Sequence, residues 1–166
     1  MKIKRMFLVV IIFLFLSSSI LVEGVSISTD VGSTLSGAVN ISLESKSEDQ
    51  NRGLAFGISF LSQQYDTVKM NGYGVSLTPK FYLNNSNLYS FIGFGVGGIS
   101  LVDSYYGSSG MIMMYSISGG IGYKFIIPTS DVIFFVEPYL GVAYINISNV
   151  ISGISPAFDL GIGLIF

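Results

Sequence analysis

The sequence has no cysteine, no histidine and no tryptophan, and only 11% of its 166 residues are charged. Without cysteine there is no disulfide framework, so an exported fold of this size is held by hydrogen bonding and burial alone. Without histidine the usual general base of hydrolases and acyl-transfer enzymes is missing, and with cysteine also absent nucleophilic catalysis loses its ordinary partners. No pair of carboxylates is marked out for a carboxylate-only mechanism. No enzyme, metal or cofactor is therefore expected. A charged share of 11% is less than half of the roughly 25% found in soluble domains. A chain so poor in charge must face something other than water over much of its surface.

Residues 1–24 read as a cleaved secretory signal peptide. Lys2, Lys4 and Arg5 precede an apolar run from Met6 to Leu16, and Ser17-Ser18-Ser19 follows. Cleavage falls after Gly24 or near Ser19; a retained helical anchor is the competing reading. Removing residues 1–24 takes three basic residues and Glu23, leaving 5 basic and 9 acidic residues and a formal charge of −4. No basic patch is left to meet nucleic acid. No later segment is apolar for long enough to form a membrane helix.

What is abundant is alternation. In the last thirteen residues Ile154, Pro156, Phe158, Leu160, Ile162, Leu164 and Phe166 alternate with Ser155, Ala157, Asp159, Gly161, Gly163 and Ile165. A period of two is a β-strand with one apolar face and one small, polar face. The same pattern predicts eight strands: Val25–Gly32, one from Leu35 to Glu44, Gly53–Gln64, Gly72–Leu83, Leu88–Val102, Met111–Ile127, Val132–Ile147 and the final one. Polar or turn-rich stretches at 33–34, 46–52, 65–71, 84–87, 103–110, 128–131 and 148–153 separate them. Phe91 beside Ile92 blurs the phase of the fifth strand. Pro79, Pro138 and Pro156 fall inside strands, and a β-bulge is expected at one or more of them. Gly93-Phe94-Gly95-Val96-Gly97-Gly98 is no nucleotide loop, because a strand continues where the fingerprint needs a helix.

The fold class that follows is all-β, an eight-stranded antiparallel up-and-down transmembrane β-barrel spanning residues 25–166. Asp30, Glu44, Lys80, Lys124, Glu137 and Asp159 all fall on the small, polar face. Lipid excludes charge, whereas a lumen tolerates it. Gly, Ser and Ala would make a poor water-facing surface but suit a narrow lumen, so the large apolar face meets lipid. An even strand number puts both termini on the periplasmic side, with the longer loops outside. Phe56, Phe81, Phe125, Phe134 and Phe166 then gather near the periplasmic ends and Tyr73, Tyr115 and Tyr144 near the outer ends, as two interfacial girdles.

Candidate functional residues come from the lumen and the loops. Glu44, Lys80, Lys124, Glu137 and Asp159 are expected to form a lumen charge network. Paired, they would plug the barrel; unpaired, they would line a small passive pore for ions or small solutes. Tyr105 and Tyr106 are candidates for an outer-loop contact.

The chain resembles small bacterial outer-membrane β-barrels of the OmpA/OmpX type. The likeness rests on the Gly-aromatic-Gly texture of Gly72-Tyr73-Gly74 and Gly93-Phe94-Gly95 and on the closing strand. In that strand Asp159, Gly161, Leu164 and Phe166 are similar to the C-terminal signal that directs barrel assembly. The resemblance implies a monomer in the bacterial outer membrane, in contact with its lipid. It also implies the barrel-assembly machinery and periplasmic chaperones as partners. The function expected is a structural or surface-interaction role around a plugged lumen, with the passive pore as the alternative and a soluble-side binding barrel behind both.

Overall fold

The computed structural model describes residues 22–35, 37–47, 49–65, 68–84, 86–103, 109–148 and 151–166. The elements are β1 (Val22–Asp30), α1 (Val31–Leu35), β2 (Ala38–Ser47), β3 (Arg52–Tyr65), β4 (Val68–Tyr82), β5 (Leu88–Asp103), β6 (Ser109–Tyr123), β7 (Phe125–Pro128), β8 (Ile133–Ile147) and β9 (Ile151–Ile165). Every neighbouring pair is antiparallel, and β1 pairs with β9 to close the ring. β6 and β7 are two segments of one pass, both paired with β8. The wall is therefore a closed eight-stranded barrel. Among the described residues no helix is long and apolar enough to cross a membrane; the strands do that.

Alternation sorts the side chains as a barrel requires. Ile121 is 58% exposed on the outer face, while Lys124 is 2% exposed in the lumen. Phe56, Phe81, Phe125, Phe134 and Phe166 are exposed toward the end that carries the termini, and Tyr73, Tyr115 and Tyr144 toward the hairpin end. The blurred phase of β5 is resolved by burial: Ile92 points out and Phe91 in.

Several boundaries differ from the sequence reading. β1 begins at Val22, within the segment expected as leader, and ends at Asp30. Where a two-residue turn at Ser33-Thr34 was expected, the chain forms α1, and Leu35 belongs to that turn of helix, not to a strand. The Thr34 hydroxyl donates to the Asp30 carbonyl at 2.8 Å and closes the turn. At the hairpin end the strands run on past the apolar belt, pairing Gln63 with Met70 and Gln64 with Lys69. Of the stretches read as loops at 65–71 and 103–110, residues 65, 68–71, 103, 109 and 110 therefore belong to strands. At the opposite end Asn84 adopts φ 48° to make the tight turn between β4 and β5, a left-handed conformation that asparagine tolerates well.

The prolines produce no bulge; the register shift in the wall lies between Val22 and Gly24. Pro79 keeps its place opposite Leu54 in β3, but the β4–β5 ladder skips from Leu77–Phe94 to Lys80–Phe91 in unchanged register. Pro138 keeps its pairing with Leu160, and across from it the β6/β7 pass is interrupted at Lys124, again with unchanged register. A strand residue directs its N–H to one neighbour only, so a missing donor thins one ladder and leaves the other whole. Pro156 pairs with Val142 in an unbroken β8–β9 ladder and lies beyond the last β1–β9 pair, Asp30–Gly161.

Candidate functional site in the barrel lumen

The lumen holds a buried charge cluster toward one end and a cavity toward the other. In the half nearer the termini, β2, β4, β8 and the β6–β7 break each turn a charged residue inward. Lys80 Nζ lies 2.8 Å from Glu44 Oε2 and 2.6 Å from Glu137 Oε1, and Lys124 Nζ lies 2.8 Å from the same Glu44 oxygen. All four residues are buried, none more than 8% exposed. The Tyr82 hydroxyl donates to Glu44 Oε1. Each lysine also faces a ring: Lys80 stands 4.6 Å from the Tyr89 centroid and Lys124 4.3 Å from that of Phe135. Such contacts gain strength when the cation is desolvated. Lys46 Nζ stands 3.7 Å from the Tyr82 ring centroid.

Aromatic packing completes the floor. Tyr82, Tyr89, Phe91 and Tyr139 form a chain of ring contacts with centroid separations of 5.3, 6.3 and 5.8 Å. Small residues opposite make room for them, and the Tyr89 hydroxyl lies over Gly122. Among the described residues no buried side-chain nitrogen or oxygen lacks a partner. That completeness matters, because buried charges are tolerated only when paired and hydrogen-bonded.

Above this floor is a vestibule of about 490 Å³, walled by Ser42, Gly57, Ser59, Ser76, Gly95 and Ser118 and floored by Lys80, Phe91, Glu137 and Tyr139. Asp159 is not in the charge cluster, contrary to its expected place there. It accepts from Gly32 N at 2.7 Å, Ser33 N at 3.2 Å and the Ser33 hydroxyl at 3.0 Å. Asn40 joins the same group, donating to Ser33 Oγ at 2.9 Å and to Asp30 at 3.2 Å. The cause is stagger: Asp159 sits opposite Tyr139, two residues nearer the hairpin end of β8 than Glu137.

The structure thus brings Glu44, Lys80, Lys124 and Glu137 together and places Asp159 with α1. Gly161, Leu164 and Phe166 lie along the β1 seam, where Phe166 N donates to the Val25 carbonyl at 2.9 Å. Tyr105 and Tyr106 lie outside the described residues. Sequence reasoning missed Lys46, read as turn, and the lumen aromatics Tyr89, Phe91, Tyr139 and Phe135. For the aromatics a signal existed, since each lies one residue out of phase with the apolar stripe of its strand. Among the described residues no group of three or more acidic, histidine or cysteine side chains is placed to hold a metal ion.

An apolar exterior around a small, polar and partly filled lumen defines the class: a small transmembrane β-barrel of the outer-membrane type. No protein-family model matches the chain, and no curated protein does. Solved structures do. The N-terminal β-barrel domain of Pseudomonas aeruginosa OprF is 16% identical with a TM-score of 0.51, over 86% of this chain and 97% of that one. Ail, the attachment invasion locus protein of Yersinia pestis, is 16% identical with a TM-score of 0.50, over 86% and 94%. Neisserial surface protein A is 13% identical with a TM-score of 0.42, over 86% and 92%. The first two carry the likeness in fold, and at such identities it is a likeness in fold alone.

Proposed function

We propose that this protein is a non-enzymatic barrel of the bacterial outer membrane whose lumen is closed on the periplasmic side and whose role is structural or a contact at its outer surface. One observation carries the reading: Glu44, Lys80, Lys124 and Glu137 are ion-paired and buried together inside the barrel. Conduction needs a continuous path of water or ligand groups weak enough to release the ion, and a satisfied cluster offers none. On this reading the termini face the periplasm and the vestibule opens outward. The passive pore stays as the second reading, favoured by the vestibule, which already makes half a channel.

The leader is part of the proposal, with cleavage ahead of Val22 near Ser19, because Val22–Gly24 belong to β1. Outer-membrane lipid, the barrel-assembly machinery and periplasmic chaperones are its proposed partners, and the proposed state is a monomer. The test is conductance of the refolded barrel in a planar bilayer, with folding checked by circular dichroism. Silence is expected. Discrete steps whose ion selectivity changes in Lys124→Ala would replace the plug with a pore.

A further inference from the structure

We propose that α1 is a strap across a side opening of the vestibule and that the Asp159 carboxylate is the latch that holds it shut. The opening follows from strand lengths. β8 and β9 share fifteen pairs, from Ile133–Ile165 to Ile147–Ile151. β1 and β9 share five, ending at Asp30–Gly161. From Ile151 to Leu160, β9 therefore has a strand on one side only, among the described residues. The wall there has a slot between β9 and β2, and α1 lies in it, packed against both.

The slot faces lipid on one side and the vestibule on the other. Tyr144 of the hairpin-end girdle pairs with Ile154, so Pro156 and Phe158 lie at the depth of the apolar belt. The vestibule reaches Asp30, the last residue of β1 before α1, and Ala38, the first residue of β2 after it. Leu35 on α1 is 84% exposed and Ile154 and Phe158 are 79% and 76% exposed, the three most exposed large apolar side chains among the described residues. They lack the neighbours that a continuing β1 would supply.

A strap is distinguished from a wall by what holds it. α1 is five residues long and buries none of them. One helical turn has little stability of its own, so polar contacts keep it in place. Three of them converge on Asp159, from Gly32 N, Ser33 N and Ser33 Oγ. Gly32 permits the approach: a Cβ there would stand 2.6 Å from Asp159 Oδ1. A β1 that zipped onward in the same register would bring Leu35 opposite Pro156, which has no N–H to give, so the seam could not run unbroken along β9. Leu160, the first β9 residue beyond the seam, donates its N–H to its neighbour Asp159 at 2.8 Å instead of to a strand. The proposal concerns the vestibule above the floor, so a conducting floor would leave it standing.

The chain has no cysteine, so a single thiol can report. Ser42→Cys puts one on the vestibule wall. The barrel is refolded into phospholipid vesicles and labelled with a phospholipid carrying a maleimide on its acyl chain, or with a water-soluble thiol reagent. Adding Asp159→Ala should raise the rate with the lipid-borne reagent by at least about tenfold, the factor that losing one charge-assisted hydrogen bond represents. The rate with the water-soluble reagent, which enters by the mouth, should not change. An unchanged lipid-borne rate in a folded Asp159→Ala barrel would overturn the proposal. If that variant does not insert, Gly32→Ala drives a methyl against the same carboxylate and should give the same rise; an unchanged rate there overturns it equally.

Discussion

Replacing Lys80 by methionine is the sharpest probe of the lumen floor. Lys80 bridges two carboxylates, while Lys124 reaches only Glu44. In Lys80→Met, Glu44 keeps Lys124 and the Tyr82 hydroxyl, but Glu137 is left buried without its cation. Orphaning one member of a buried pair costs about 3–5 kcal/mol. Lys124→Met leaves both carboxylates with Lys80 and removes one charged hydrogen bond, a loss of about 1.5–3 kcal/mol. The order Lys80 above Lys124 is therefore expected, and Lys80→Met combined with Glu137→Leu should recover most of the loss, because no unpaired charge remains. With no tryptophan in the chain, unfolding in urea is followed by far-ultraviolet circular dichroism and by heat-shifted gel migration. A Lys80→Met barrel that loses under about 1 kcal/mol, the range of an exposed pair, would refute the buried network. So would a Lys124→Met barrel that loses as much as Lys80→Met.

Further tests separate faces, close approaches and the floor. Ile121→Arg, on the lipid face, should cost about 2–4 kcal/mol near mid-bilayer and reduce membrane assembly measured by fractionation, whereas Ser118→Arg, turned into the lumen, should be milder; equal effects would mean the faces are misassigned. Gly141→Ala would drive a methyl into the Gly119 carbonyl across the β6–β8 ladder, and a loss of about 1–3 kcal/mol should appear as a lower urea midpoint, while Gly153→Ala, with open space around it, should be close to neutral. Removing the whole floor charge set, Glu44→Ala with Lys80→Ala, Lys124→Ala and Glu137→Ala, should turn a silent barrel into one that shows discrete conductance steps in a planar bilayer.

Much of this barrel is decided locally. The alternation at Ile121, Gly122, Tyr123 and Lys124 already says which side chain meets lipid and which the lumen, because a strand turns successive residues to opposite faces whatever its neighbours are. Strand number and the antiparallel order follow from the same pattern and the turns between. The sequence grouped the lumen charges but could not say which of them pair, or that Asp159 stands apart. Glu44 and Lys124 are 80 positions apart, and their contact depends on the stagger of the whole ring, which no single strand encodes. The same stagger places Glu137 on the floor and Asp159, on the neighbouring strand, above it against α1. Phe91 and Phe135 show a related limit: their phase turns them inward, but whether a ring can be packed there depends on the space left by Gly and Ser on facing strands. The prolines show the limit most simply. Their missing donors are visible in the sequence, but a lost bond, a broken pass or an open edge results according to which neighbour that donor would have faced, and the assembled sheet alone determines that.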